Sequence, residues 1–174
     1  AGRAAGITAL AQAQRVVTIS QFSRRQLLKH ARLREEQITV VGLGSDLHTA
    51  PYADVPGLPA RYVLYPAKWW PHKRHGLLLG IMRHVWAREP NLALILPGVI
   101  GASERRMLDE LAAEAPAGAI VTPGYLTDGQ LRTAYRRAEA LMFTSSYEGF
   151  GMPVVEAMSA GCPVLCAPVT ALPE

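Results

Sequence analysis

The chain has 174 residues, 49% of them hydrophobic and 18% charged, with a net charge of +4. That balance is of an ordinary globular chain able to bury a sizeable core, and it excludes a disordered protein. No apolar run approaches the ~20 residues that cross a bilayer, and residues 1–14 lack the continuous apolar core of a secretory signal, so the cytoplasm is the expected compartment. The positive excess is local. Between Ala60 and Arg88 there are six basic residues (Arg61, Lys68, Lys73, Arg74, Arg83 and Arg88) and no acidic one, which leaves 12 basic against 14 acidic residues elsewhere. A solvated helix face accounts for Arg83 and Arg88. Lys68 and Lys73 are the better candidates for an anionic ligand. The chain has no initiator Met and ends at Pro173-Glu174 without a closing helix or strand, so a piece of a longer protein is expected.

In chain order, the Ala-rich residues 1–14 predict a helix. Residues 15–20 predict a strand, and residues 21–31 a helix capped by Ser20, with Phe22, Leu27 and Leu28 as its apolar stripe. Residues 38–41 predict a short strand ending in Gly42-Leu43-Gly44-Ser45-Asp46. This is either a simple turn or half of a G-x-G-x-x-G fingerprint, and Leu47 stands where the third glycine belongs. Residues 46–60 hold Pro51, Pro56 and Pro59 without periodicity and read as a linker. A regular alternation follows. Strands are expected over 62–65, 92–96, 119–121, 140–143 and 164–166. Helices are expected over 74–86 (apolar at Leu77, Leu78, Ile81, Met82 and Val85), 104–115 with Ser103 as cap, 127–137 with Thr127 and Gln130 as a capping box, and 153–160. That last helix has Pro153 at its first position and Gly161 as its stop. Such alternation predicts an α/β protein with a Rossmann-like parallel sheet and helices on both faces, preceded by the end of a second α/β domain. The expected divisions are residues 1–45, a linker over 46–60, and a domain over 61–174.

In an open parallel sheet the ligand lies at the carboxyl ends of the strands, so the loops there are the candidate sites. Pro66 to Lys73 follows the first strand of the second unit. Lys73, at a helix start, is either a phosphate ligand or an ordinary exposed lysine. Trp69 and Trp70 either pack on the sheet or line the cleft, with at least one expected to pack. His72 and His75 read as exposed loop residues, because no third metal ligand accompanies them. Gly98 allows a backbone to approach a ligand or simply makes a turn. Gly124 and Tyr125 either read the edge of a base or form a tight turn.

The richest stretch runs from Ser145 to Glu156. Glu148, Gly149, Phe150 and Gly151 lie on its loop, and Met152 follows them. Glu156 sits one turn into an apolar helix, where a carboxylate needs a partner. Loop amides at a helix N-terminus suit a phosphate, and carboxylates accept from polyol hydroxyls. A paired-carboxylate glycosidase also fits two glutamates, but the basic loop favours a phosphorylated ligand. Cys162 and Cys166 flank a short apolar run and read as two buried thiols.

These residues resemble a known family. Glu148-Gly149-Phe150-Gly151-Met152-Pro153-Val154-Val155-Glu156 looks like the E-x7-E motif of retaining glycosyltransferases of the GT-B fold, and its surroundings resemble glycosyltransferase family 4. Thr18 to Arg24, Val40 to Asp46, Tyr65 to His75, Gly161 to Val164 and Leu172 to Glu174 resemble further family segments in the right order. The resemblance implies the C-terminal, donor-binding half of a GT-B fold. It implies Glu148 on hydroxyls of the donor sugar, Gly149, Phe150 and Gly151 around the sugar and phosphates, and Glu156 on the ribose. It further implies Lys73 on the diphosphate, Lys68 where many members have Arg, and Gly124 and Tyr125 in the base loop. The expected ligand is a GDP- or UDP-linked sugar, with no cofactor and no metal. A glycan, lipid or small-molecule acceptor belongs to the missing N-terminal domain, through which peripheral contact with the cytoplasmic face of a membrane is allowed. No nucleic-acid partner is expected. The expected activity is hexosyl or mannosyl transfer with retention, absent from this piece alone. The alternatives are a GT-B epimerase or hydrolase of sugar nucleotides, and a non-catalytic nucleotide-sugar-binding module.

Overall fold

A computed structural model describes residue 10 and residues 12–174. The helix expected over residues 1–14 falls largely outside these. By internal contacts the chain divides into two compact units. One holds the residues up to Gly44 with Tyr147–Gly151 and Pro168–Glu174, and the other holds Ser45–Ser146 with Met152–Ala167.

The first unit is built on two parallel strands, β1 (Val16–Thr18) and β2 (Ile38–Val40), paired Val16 to Ile38. Helix α1 (Gln21–His30) connects them, and Ser20 caps it by accepting from the Ser23 amide, as the sequence predicts. Leu27 and Leu28 of α1 pack on a small core of Val16, Ala31, Leu33 and Ile38. Phe22 meets the Tyr147 ring edge-on at 5.6 Å. The α1 N-terminus also carries a polar clasp, where Glu174 accepts from the Gln21 amide at 2.7 Å and pairs with Arg25 at 3.1 Å.

The second unit is a five-stranded parallel sheet. Its strands are β3 (Tyr62–Leu64), β4 (Ala93–Ile95), β5 (Ile120–Val121), β6 (Ala140–Phe143) and β7 (Val164–Cys166), in the order β5-β4-β3-β6-β7. Helices α2 (His75–Trp86), α3 (Ala102–Ala112), α4 (Asp128–Arg137) and α5 (Met152–Ser159) alternate with them. Every residue of β3, β4 and β6 is buried, so both faces of the central sheet are covered. Phe143, Leu141, Leu94 and Ile95 of the sheet are fully buried, and so are Leu78, Leu79 and Met82 of α2. The residues between β2 and β3 include a 3₁₀ turn, Asp46–Thr49. They are tied to α4 by Ala53 N–H to the Gly129 carbonyl at 3.2 Å and by the Arg132 guanidinium over the Tyr52 ring at 4.1 Å.

Local signals place most boundaries within two residues. Thr127 and Gln130 form the expected capping box on α4. Helix α5 ends as predicted at Gly161, whose φ of +73° needs no Cβ. Its amide reaches the Met158 carbonyl and that of Cys162 reaches Ala157, a Schellman closure. Helix α5 starts at Met152, which makes Pro153 its second residue, and α3 starts at Ala102, which puts Ser103 inside the helix.

Two expectations about burial are corrected. Helix α2 buries His75, Leu78, Leu79, Met82 and Trp86, whereas Leu77 is exposed. Its sequence is apolar nearly all round, so it offers two stripes, and packing chose the one through Leu79 and Trp86. Only Cys162 of the two cysteines is buried. Cys166 lies on β7, the edge strand, which has a neighbour on one side only.

Candidate functional site

In the second unit the chain runs from β3 through β4 to β5 on one side, then returns to β6 and β7 on the other. The loops after β3 and β6 therefore diverge at a topological switch point, where open sheets bind ligands. Hydroxyl-bearing residues after β6 join these two loops. The Ser146 amide donates to the His72 carbonyl at 2.8 Å, Ser145 Oγ donates to the same carbonyl at 3.2 Å, and Thr144 Oγ1 donates to the Lys73 carbonyl at 3.1 Å. The buried Tyr65 hydroxyl donates to the Lys73 carbonyl as well.

Lys73 ends a 3₁₀ turn, Pro71–Lys73, and is 9% exposed, with Nζ 5.0 Å from the centre of the Phe143 ring. The alternative of an ordinary exposed lysine is thereby excluded. A buried ammonium at a sheet's carboxyl edge has the charge and the position to meet an anion.

His75 is also not an exposed loop residue. It opens α2 at 5% exposure, stacks on Trp69 at 3.9 Å and meets the Tyr65 ring edge-on at 5.0 Å. A histidine ring is flat and largely apolar when neutral, so it packs as an aromatic here. Burial pushes its pKa down to about 4; a hydrogen bond to the Ala67 backbone opposes this, the Lys73 charge adds to it, and Glu104 opposes it. The unfolded chain takes up a proton near pH 6.5 that folded His75 refuses until about pH 4. The contribution to stability is therefore complete above pH 6.5 and is lost as the pH falls from there toward 4. Between the two pKa values it amounts to roughly 3 kcal/mol. Urea titrations across this range, compared with His75→Phe, are expected to show a slope that the variant lacks. Equal slopes would contradict it.

Beside this crevice lies a cavity of about 490 Å³, walled by the loops after β3, β4 and β5. Lys68, Gly98 and Tyr125 all line it, and the sequence had singled out each of them. Lys68 Nζ lies 5.3 Å from the Trp70 ring centre. The Gly98 amide donates to the Gly124 carbonyl at 2.7 Å, with φ of +118° and +79° at the two glycines. This contact locks two loops together in conformations that suit glycine. Tyr125 is 77% exposed at the rim. Trp69 packs, as expected of at least one of the pair, while Trp70 is mostly exposed. Val99, Glu104, Leu126 and Leu131 complete the wall. Val99 and Leu126 belong to the loops after β4 and β5 that sequence reading had marked as candidates; it missed Glu104 and Leu131, since only folding brings them to the same place. The walls are aromatic and aliphatic with few polar groups, as in pockets for small molecules.

Glu156, on α5, has the partner its apolar setting demands. The Tyr135 hydroxyl donates to Oε2 at 2.9 Å. Tyr135 was not anticipated, although it is the one aromatic in its helix. Met152 opens α5 and is half-buried. Glu148, Gly149, Phe150 and Gly151 fall in the first unit. There the Glu148 amide donates to Thr170 Oγ1 at 2.9 Å and Ser23 Oγ donates to the Gly149 carbonyl at 3.4 Å. Gly151 adopts φ of +100°. Thr170 holds φ of +56°, uncommon for a β-branched residue. Among the described residues no three His, Cys, Asp or Glu side chains gather as a metal site requires, and no helix is long and apolar enough to cross a membrane.

A parallel sheet with helices on both faces and an apolar cavity at its carboxyl edge defines a Rossmann-like domain, and the fold matches glycosyltransferases of the GT-B type. Residues 57–174 match the family of glycosyl transferases group 1, and the chain belongs to that family. It is 30% identical over 175 residues to the O-antigen chain mannosyltransferase B of Escherichia coli, covering 95% of this chain and 46% of that protein. It is 28% identical over 169 residues to the MMP alpha-(1->4)-mannosyltransferase of Mycolicibacterium hassiacum, covering 94% and 39%. The chain thus spans less than half the length of these curated relatives. Among solved structures, the sucrose-phosphate synthase of Thermosynechococcus elongatus aligns with a TM-score of 0.78 at 27% identity, covering 94% of this chain and 43% of that one. HepE of Anabaena, in complex with UDP and glucose, shares the fold at a TM-score of 0.73 and 22% identity, covering 91% and 46%.

Proposed function

We propose that this chain is the donor-binding part of a retaining glycosyltransferase of family 4, which moves a hexosyl group from a nucleotide-diphosphate sugar to an acceptor. The observation that carries this reading is buried Lys73, held by its backbone at the switch point of a domain in the glycosyl transferases group 1 family. Its ammonium meets the diphosphate and stabilises the charge that develops there as the sugar departs. Lys68 adds a second cation without the bidentate fork of an arginine. The base enters the cavity beside Gly98, Gly124 and Tyr125, and Glu156 accepts from the ribose hydroxyls.

Glu148 holds hydroxyls of the donor sugar as a positioning group and forms no covalent bond to it, while Gly149, Phe150, Gly151 and Met152 supply backbone contacts. The chemistry needs no divalent metal in this reading, because lysines and helix N-termini carry the leaving-group charge. Mannosyltransferases among the relatives favour a GDP-linked mannosyl donor, and the UDP complex of HepE keeps UDP-linked hexoses in view. The acceptor, a glycan, lipid or small molecule, is bound by a part of the protein outside this chain, on the cytoplasmic side.

Calorimetric titration of the chain with GDP-mannose and UDP-glucose tests the assignment. One of them is expected to bind saturably. Glu156→Gln is expected to weaken that binding about tenfold to a hundredfold, the range for a hydrogen bond to a charged group. Unchanged affinity in Glu156→Gln would sink the ribose assignment. The chain alone is expected to bind without sustained transfer, so multiple turnover by the purified chain would overturn its status as a donor-binding part.

A further inference from the structure

Glu156 is held from one side only. Its Oε2 accepts from Tyr135 at 2.9 Å, and no other side-chain partner of this carboxylate occurs among the described residues. The two ends of the contact differ in setting. Tyr135 is fully buried on α4, whereas Glu156 is half-buried on α5 and keeps access to solvent. A phenol has one proton to give. Burial, and then the Glu156 charge, raise the Tyr135 pKa well above its ordinary value, so that proton stays on the phenol across the neutral range. A carboxylate pinned at one oxygen from within the domain presents the other in a restricted set of orientations.

We propose that Tyr135 is a positioning residue for Glu156, fixing Oε2 so that Oε1 is left to accept from the vicinal hydroxyls of a nucleotide ribose. This rests on the donor-binding reading above. A free glutamate on the exposed side of a helix samples several rotamers, and ordering it on binding costs affinity. Here that ordering is done by the fold, through a hydroxyl that has no access to the ligand. A merely structural role for Tyr135 predicts something different: a buried hydroxyl needs an acceptor, and its removal would then affect stability without regard to the ligand's ribose.

The test is calorimetric titration of the 174-residue chain with UDP and GDP and with their 2′,3′-dideoxy counterparts. The proteins are wild type, Tyr135→Phe, Glu156→Gln and the double variant, each checked by thermal melting. Wild type is expected to prefer the ribonucleotide at least tenfold. Tyr135→Phe is expected to lose most of that preference by weakening ribonucleotide binding, with dideoxynucleotide affinity unchanged, and the double variant to match Glu156→Gln. A Tyr135→Phe variant that keeps the full preference, or that weakens both ligands alike, would overturn the positioning role while leaving the donor-binding reading in place. Wild-type chain that is folded and binds neither nucleotide would overturn that reading, and this inference with it.

Discussion

Replacing Lys73 by alanine is expected to lower the affinity of the chain for its nucleotide-sugar donor about tenfold to a hundredfold and to leave the melting temperature within a few degrees of wild type. The magnitude is that of charge-assisted hydrogen bonds, about 1.5–3 kcal/mol. Lys73 is 9% exposed, its carbonyl is held by Tyr65 and Thr144, and its Nζ lies 5.0 Å from the Phe143 ring centre. The ammonium is therefore preorganised, and its removal leaves Lys68 as the remaining lysine proposed for the diphosphate. Lys73→Arg keeps the charge but must fit a larger planar head into the same buried space, so an intermediate loss is expected. Calorimetry with GDP-mannose and UDP-glucose gives the answer, and equal affinity for wild type and Lys73→Ala would remove the diphosphate assignment.

The second large effect is on stability. Phe143→Ala is expected to cost about 3–5 kcal/mol, the range for truncating a buried aromatic. Phe143 is completely buried at the end of β6, a strand with neighbours on both sides. Its ring lies 5.9 Å from that of Tyr65. The ring is also the surface under Lys73 Nζ, so the same substitution is expected to weaken donor binding. Phe143→Leu retains most of the volume and is expected to cost about 1–2 kcal/mol, since volume-conserving changes are tolerated best. Urea denaturation midpoints measure both. A loss below about 1 kcal/mol for Phe143→Ala would contradict the description of this core.

Much of this architecture is legible in the sequence because its signals are local. A buried strand such as Ala140–Phe143 reads as a short apolar run. The caps at Ser20 and Thr127 and the stop at Gly161 are each written within a few residues of the helix end they serve. Strand order is not local. It placed Cys166 on an exposed edge and brought the loops after β3, β4 and β5 around one cavity. Helix α2 illustrates a second limit: a helix apolar on nearly every side does not announce which stripe meets the sheet, so Leu77 was wrongly expected in the core. His75 shows a third. Its burial depends on a stack with Trp69 across a turn, and no periodicity encodes that. Burial logic did anticipate that Glu156 needs a partner, but only the packing of α4 beside α5 identifies Tyr135.

Hydrogen–deuterium exchange of the chain, with and without saturating GDP-mannose or UDP-glucose, tests the central claim most directly. The account predicts that a bound nucleotide sugar slows exchange in residues 65–75, 96–101, 122–127 and 144–156, the loops at the carboxyl ends of β3, β4, β5 and β6. It predicts that the Lys73→Ala chain loses this protection at the same ligand concentration. Protection confined to other segments, or none in a folded chain at saturating ligand, would contradict it.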